Sequence, residues 1–185
     1  SAAFAAFIAS GVLTLLIIRY SFIHEKISGD KDFDSPQKFH TVSVPRIGGS
    51  AIFISLLLAG CIRLPSDQAS GTLLLFILLC SLPAFISGFV EDLTKKVRPL
   101  VRLLACFFSG ILAYVLLNAV IRSISVASLD FLLTIPLIST FISCLMIAGL
   151  TNSYNIIDGF NGLACMIGVI TLSAIGYVAF RNNDH

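Results

Sequence analysis

Three carboxylates carry most of the chemical promise of this 185-residue chain. Glu91 and Asp92 stand side by side where a long apolar run ends, and Asp158 lies in a polar stretch between two later runs. Adjacent acids at the edge of a membrane suit a hard divalent cation, whose charge and bound phosphates would relieve their repulsion. They also suit a plain solvated helix end, balanced by Lys95 and Lys96 at helical spacing. Around Asp158 the order is Thr151-Asn152-Ser153-Tyr154-Asn155-Ile156-Ile157-Asp158-Gly159-Phe160-Asn161-Gly162. Asn152, Asn155, Asp158 and Asn161 recur at every third position, so a helical or 3₁₀ turn would bring neighbours in the row toward one face. A polar hairpin of ordinary turn formers would read much the same. Against that, amides and a carboxylate beside a bilayer are costly to desolvate unless something binds them.

A third polar stretch is Asp34-Ser35-Pro36-Gln37-Lys38-Phe39-His40-Thr41-Val42-Ser43-Val44-Pro45-Arg46-Ile47-Gly48-Gly49. Lys38, His40 and Arg46 could contact phosphate, Arg46 with a two-pronged grip. Pro45 stiffens the approach to the next apolar run, and Gly48-Gly49 permits a close backbone approach.

The elements that must position these groups are membrane helices. Hydrophobic residues make up 57% of the chain and charged residues 12%, which rules out an ordinary water-soluble domain. Twelve Lys and Arg against ten Asp and Glu leave a net charge of +2, too little to neutralise the phosphates of a nucleic acid, so none is expected as a partner. Six apolar stretches, 2–18, 48–62, 72–90, 103–121, 129–150 and 163–180, approach or reach the length that crosses a hydrocarbon core. In lipid each backbone amide must be satisfied within its own segment, so the spans are expected to be helices. The second is short and should extend into its flanks or tilt less. The predicted fold is therefore an all-α, polytopic integral membrane protein of about six transmembrane helices, a single membrane domain over residues 1–185.

Nine of the twelve Lys and Arg fall in 19–46 and 91–102, on one side of the membrane. The positive-inside rule makes that side cytoplasmic and the amino terminus external. The three motif stretches, 34–49, 88–102 and 151–164, then share the cytoplasmic face. Cys61, Cys80, Cys106, Cys144 and Cys165 all lie in apolar runs without metal spacing and are read as buried small hydrophobes.

Taken in order, D-S-P-Q-K-F-H-T-V-S-V-P-R-I-G-G, G-F-V-E-D-L-T-K-K with Arg102 and Leu103 downstream, and N-S-Y-N-I-I-D-G-F-N-G-L-A resemble the motifs of the polyprenyl-phosphate N-acetylhexosamine-1-phosphate transferases, glycosyltransferase family 4, which includes the phospho-MurNAc-pentapeptide translocase. The resemblance runs from about Asp34 to Ala164. It implies transfer of a sugar 1-phosphate from a UDP-N-acetylhexosamine to a polyprenyl phosphate such as undecaprenyl phosphate, with UMP released, at the inner membrane of a bacterium. It implies Mg²⁺, or Mn²⁺ in its place, handled by Glu91, Asp92 and Asp158, which are also the expected catalytic acids. Lys38, His40, Arg46, Asn152, Asn155, Gly159, Phe160 and Asn161 are implied as substrate-binding residues, with Phe160 near the uracil, and a homodimer is allowed. Two positions depart from the pattern. Glu91 stands where Asp is commonest, and Asn161 replaces an Asp of many relatives, so Asn161 can bind but cannot act as a base. Such enzymes usually have about ten or eleven spans, with a further metal-binding Asp and a His-containing loop in their second half. The chain therefore resembles an amino-terminal part, expected to be inactive alone. The rival readings are a transporter, suggested by Pro83 and Pro136 within spans, and a non-catalytic membrane subunit with a degenerate site. No Asp, Glu, Lys or Arg falls in the middle of a span, which weighs against transport.

Overall fold

Long apolar runs with no water to bond their backbones fold as helices, and the computed structural model, which describes residues 2–20, 47–94, 96–157 and 162–182, contains helices and no strand among them. In chain order they are α1 (Ala2–Arg19), α2 (Gly48–Arg63), α3 (Gln68–Thr94), α4 (Pro99–Leu117), α5 (Ala127–Leu133), α6 (Pro136–Ile157) and α7 (Leu163–Arg181). Five of these, α1, α3, α4, α6 and α7, are long and apolar enough to cross a membrane. The protein is an all-α, polytopic membrane protein. The short second span stays short: α2 is a 16-residue apolar helix, closed by turns at both ends rather than extended.

Three spans differ from their expected limits. Helix α3 runs on past Val90, so Glu91 and Asp92 lie in its last turns and not in a loop. Helix α4 stops at Leu117 instead of Ile121, because Asn118 turns left-handed (φ 52°) and its N–H closes on the carbonyls of Ala113 and Tyr114. The fifth span is interrupted. Residues 118–126 are not helical, α5 is a seven-residue piece, and α6 begins at Pro136, whose missing N–H belongs at a helix start.

Each helix packs on its neighbours along the chain, α1 on α2, α2 on α3, α3 on α4, and α4 on α6, with α5 beside α6 and α7 barely touching it. Phe85 of α3 stacks on Phe53 of α2 (centroids 4.2 Å apart), and Phe107 of α4 meets Phe141 of α6 edge-on at 5.8 Å. Small residues bring α4 close to both partners. Ala84, following Pro83, donates its N–H to Ser109 Oγ (3.1 Å), and a Cβ on Gly110 would lie 2.8 Å from Cys144 Cα. Such seams suit a bilayer, where helices associate through close packing and hydrogen bonds and gain little from apolar burial alone. Cys80, Cys106 and Cys144 are buried in these seams, whereas Cys61 and Cys165 are exposed on helix surfaces; the expectation of five buried cysteines holds for three. All five are free.

Candidate active site

The ends of α3 and α6 and the start of α4 meet at one end of the bundle. Helix α3 ends at Thr94 and α4 begins at Pro99, which stands at its first position. This places Arg102, in the opening turn or so of α4, opposite Glu91, near the close of α3. Arg102 Nη1 donates to both carboxylate oxygens of Glu91, at 3.0 and 2.9 Å. The same nitrogen donates to Asn155 Oδ1 (2.7 Å), and Nη2 donates to Asn152 Oδ1 (2.6 Å). One guanidinium therefore ties three helices together.

Helix dipoles make the arrangement unusual. A helix N-terminus disfavours a cation and a C-terminus disfavours an anion, so both Arg102 and Glu91 sit where their own helices would repel them. Each charge is offset by the other, at 2.9 Å, with the Arg102 side chain only 12% exposed and that of Glu91 28%. Arginine carries donors alone, so the two asparagine carbonyl oxygens must face it and their amide N–H₂ groups are left to donate elsewhere. The three-residue step from Asn152 to Asn155 puts both amides on the α4-facing side of α6, as a helical row predicts. Arg102 Nε is buried and has no hydrogen-bond partner.

Of the expected site residues, the structure thus gathers Glu91, Asn152 and Asn155 around one group, and Asp92 follows Glu91 in the last turns of α3. Lys38, His40, Arg46, Asp158, Gly159, Phe160 and Asn161 lie outside the described residues. The sequence places Arg102 within a motif without assigning it a role; among the described residues it is this arginine that pairs with Glu91. The detectable signal was a basic residue in the first turns of a helix, where the dipole gives it no support.

The donors here are hard oxygens, the type that Mg²⁺ prefers. Both oxygens of Glu91 and both asparagine oxygens already face a guanidinium, so an ion there would share its ligands with a positive charge. Among the described residues no three His, Cys, Asp or Glu side chains group closely enough to hold a metal ion. Asp92, beside Glu91 in the last turns of α3, is the other described acid at this end of the bundle.

Comparison with known proteins decides the family. The sequence profile of glycosyl transferase family 4 matches residues 74–185. The chain belongs to glycosyl transferase family 4. The match takes in both Glu91-Asp92 and the asparagine row. A Bacillus subtilis protein provisionally named undecaprenyl-phosphate N-acetylglucosaminyl 1-phosphate transferase is 32% identical over 184 residues, covering 94% of this chain and 47% of that protein. A Saccharolobus solfataricus protein, provisionally named UDP-N-acetylglucosamine–dolichyl-phosphate N-acetylglucosaminephosphotransferase, is 25% identical, covering 96% of this chain and 53% of its own length. The phospho-N-acetylmuramoyl-pentapeptide-transferase of Streptococcus thermophilus is 27% identical, covering 96% and 56%. The chain spans about half the length of these relatives. No solved structure matches it significantly.

Proposed function

We propose that this family 4 member transfers an N-acetylhexosamine 1-phosphate from a UDP-sugar to a polyprenyl phosphate, undecaprenyl phosphate in a bacterial inner membrane, and releases UMP. The observation that carries the proposal is the convergence of Glu91, Arg102, Asn152 and Asn155, from three helices, at the end of the bundle where Asp92 also lies. The polyprenyl phosphate is itself the nucleophile. One of its oxygens attacks the β-phosphorus of the UDP-sugar, a new P–O bond forms, and the bond to the leaving UMP breaks, so no covalent protein intermediate is needed.

The residues of the chain then have to position and neutralise. Asn152 and Asn155, with their carbonyls held by Arg102, offer amide donors to oxygens of the nucleotide sugar. Lys38, His40 and Arg46 would add positive charge for the phosphates, and Gly159, Phe160 and Asn161 would line the nucleotide pocket. Asp158 and Asp92 are the acids that would hold Mg²⁺, or Mn²⁺ in its place; when bound, the ion would offset charge on the diphosphate and the departing UMP. Asp92 would also orient the lipid phosphate. A UDP-sugar cannot enter the bilayer and the acceptor phosphate sits at headgroup depth, so the reaction belongs at the interface, on the cytoplasmic side that the Lys and Arg distribution marks. Transport fits less well, because the described carboxylates and their partners lie at or beyond helix ends and not at mid-span.

The test is an incubation of membranes containing the full-length protein with radiolabelled UDP-N-acetylglucosamine and undecaprenyl phosphate. Label moving into lipid with release of UMP, abolished by Asp92→Asn and by Asp158→Asn, is the expected result. Undiminished transfer in those variants would overturn the assignment.

A further inference from the structure

Arg102 makes four hydrogen bonds to three residues on the two helices flanking its own, spanning 11, 50 and 53 positions along the chain. It does so from a helix end that repels it, in a setting where only 12% of its side chain is exposed and where its Nε gains nothing. Burying a charge so placed is unfavourable unless paired, and the unsatisfied Nε adds to that cost. A side chain retained at such expense for stability alone would be outperformed by an apolar one of similar volume.

We propose that Arg102 is the positioning residue of this site: anchored by Glu91, it sets the depth and the amide orientation of Asn152 and Asn155. The inference rests on the transferase reading and deepens it. It gives Glu91 a role distinct from that of Asp92, as the carboxylate that holds an arginine rather than an ion. Helix α6 ends at Ile157, two residues past Asn155. Lysine could not replace it, since a single ammonium lacks the forked reach that joins a carboxylate to two separate amides.

Two measurements test this together. The first is a thermal unfolding cycle on the detergent-solubilised chain with Glu91→Gln, Arg102→Gln and the double variant. Each single change strands a buried partner and should lower the midpoint by about 5 °C. The double variant should fall no further than the worse single, whereas two additive losses would overturn the pairing. The second is kinetic. Arg102→Lys should lower kcat about 10- to 100-fold while KM for the UDP-sugar changes less than about threefold, as misplacement of otherwise intact groups predicts. Adding Asn152→Ala and Asn155→Ala to Arg102→Lys should cost less than about threefold more, because the three act as one unit. Multiplicative losses with a large rise in KM would make Arg102 an independent substrate contact and overturn the proposal. If the unaltered full-length protein transfers no sugar phosphate, the transferase reading fails and the unfolding cycle alone decides whether the clamp exists.

Discussion

At the Leu117 end of α4, polar groups close on one another and on backbone. Ser143 accepts the N–H of Ile121 at 2.8 Å, Ser139 donates to the Ile121 carbonyl at 2.6 Å, and Asp130 accepts from Ile124 N–H and from Ser123 at 2.7 and 2.9 Å. At the Pro99 end, Arg102 instead joins side chains to side chains across three helices and leaves Nε unsatisfied. The first arrangement completes a backbone that leaves the helix; its partners lie within 22 residues of each other and no charge is buried. The second does nothing for the backbone. Surplus polarity, held at the cost of an unmet donor, separates a place prepared for a ligand from a place that is merely finished.

The contrast can be broken in several ways, beginning with the strongest. Asp92→Asn should reduce sugar-phosphate transfer at least about 100-fold; undiminished transfer would erase the distinction between the ends. Gly110→Val, midway between the ends, forces a side chain into Cys144 where even a Cβ would sit 2.8 Å from its Cα. Overpacking there should destabilise by about 1–3 kcal/mol and loosen both ends together, read as a lower melting midpoint with reduced transfer. Ser143→Ala leaves the Ile121 N–H without its partner and should cost about 1–3 kcal/mol, with transfer changed less than about threefold. A loss of activity larger than that would couple the far end to the site.

The smallest effect concerns acid. Hydrogen bonds from the Ile124 N–H, then from Ser123, hold the Asp130 carboxyl below its ordinary value of 3.8. A carboxylate with a depressed pKa in the folded state lends stability that is present above its unfolded value and fades as pH falls through the folded one. Protection of the Ile124 amide against exchange, relative to an unstructured amide at the same pH, should therefore hold down to about pH 4 and fall only in stronger acid, and Asp130→Asn should remove that dependence. The group is exposed, so its effect should remain local to the 118–126 segment.

Much of the scaffold could be read from composition, because lipid leaves an apolar run no alternative to a helix; α1 and α7 fall within a residue of their expected ends. The interruption after Leu117 could not. Ala119, Val120 and Ile121 are as apolar as the helix before them, and the serines that bond to the broken backbone, Ser143 accepting and Ser139 donating, lie in the following span. In the site, the spacing of Asn152 and Asn155 announced a shared face, and the adjacency of Glu91 and Asp92 announced charge. Their connection through Arg102 was not visible, since a basic residue near a membrane end looks like any other contribution to orientation, and two of its three partners lie 50 and 53 positions away. Glu91 illustrates the limit most clearly: its type announces a charge, and only the fold turns both of its oxygens toward an arginine.

The single-file packing has a consequence for assembly. Every neighbour in space is also the next helix in sequence, apart from the short α5, so a segment leaving the translocon finds its docking surface already in place and need not search. The guanidinium of α4 must wait longer. Its carboxylate partner precedes it through the exit channel, but its two carboxamides emerge only with the close of α6. Until then the positive charge is half-satisfied at the membrane edge, and the arrival of α6 completes the polar cluster as the last event of its own construction.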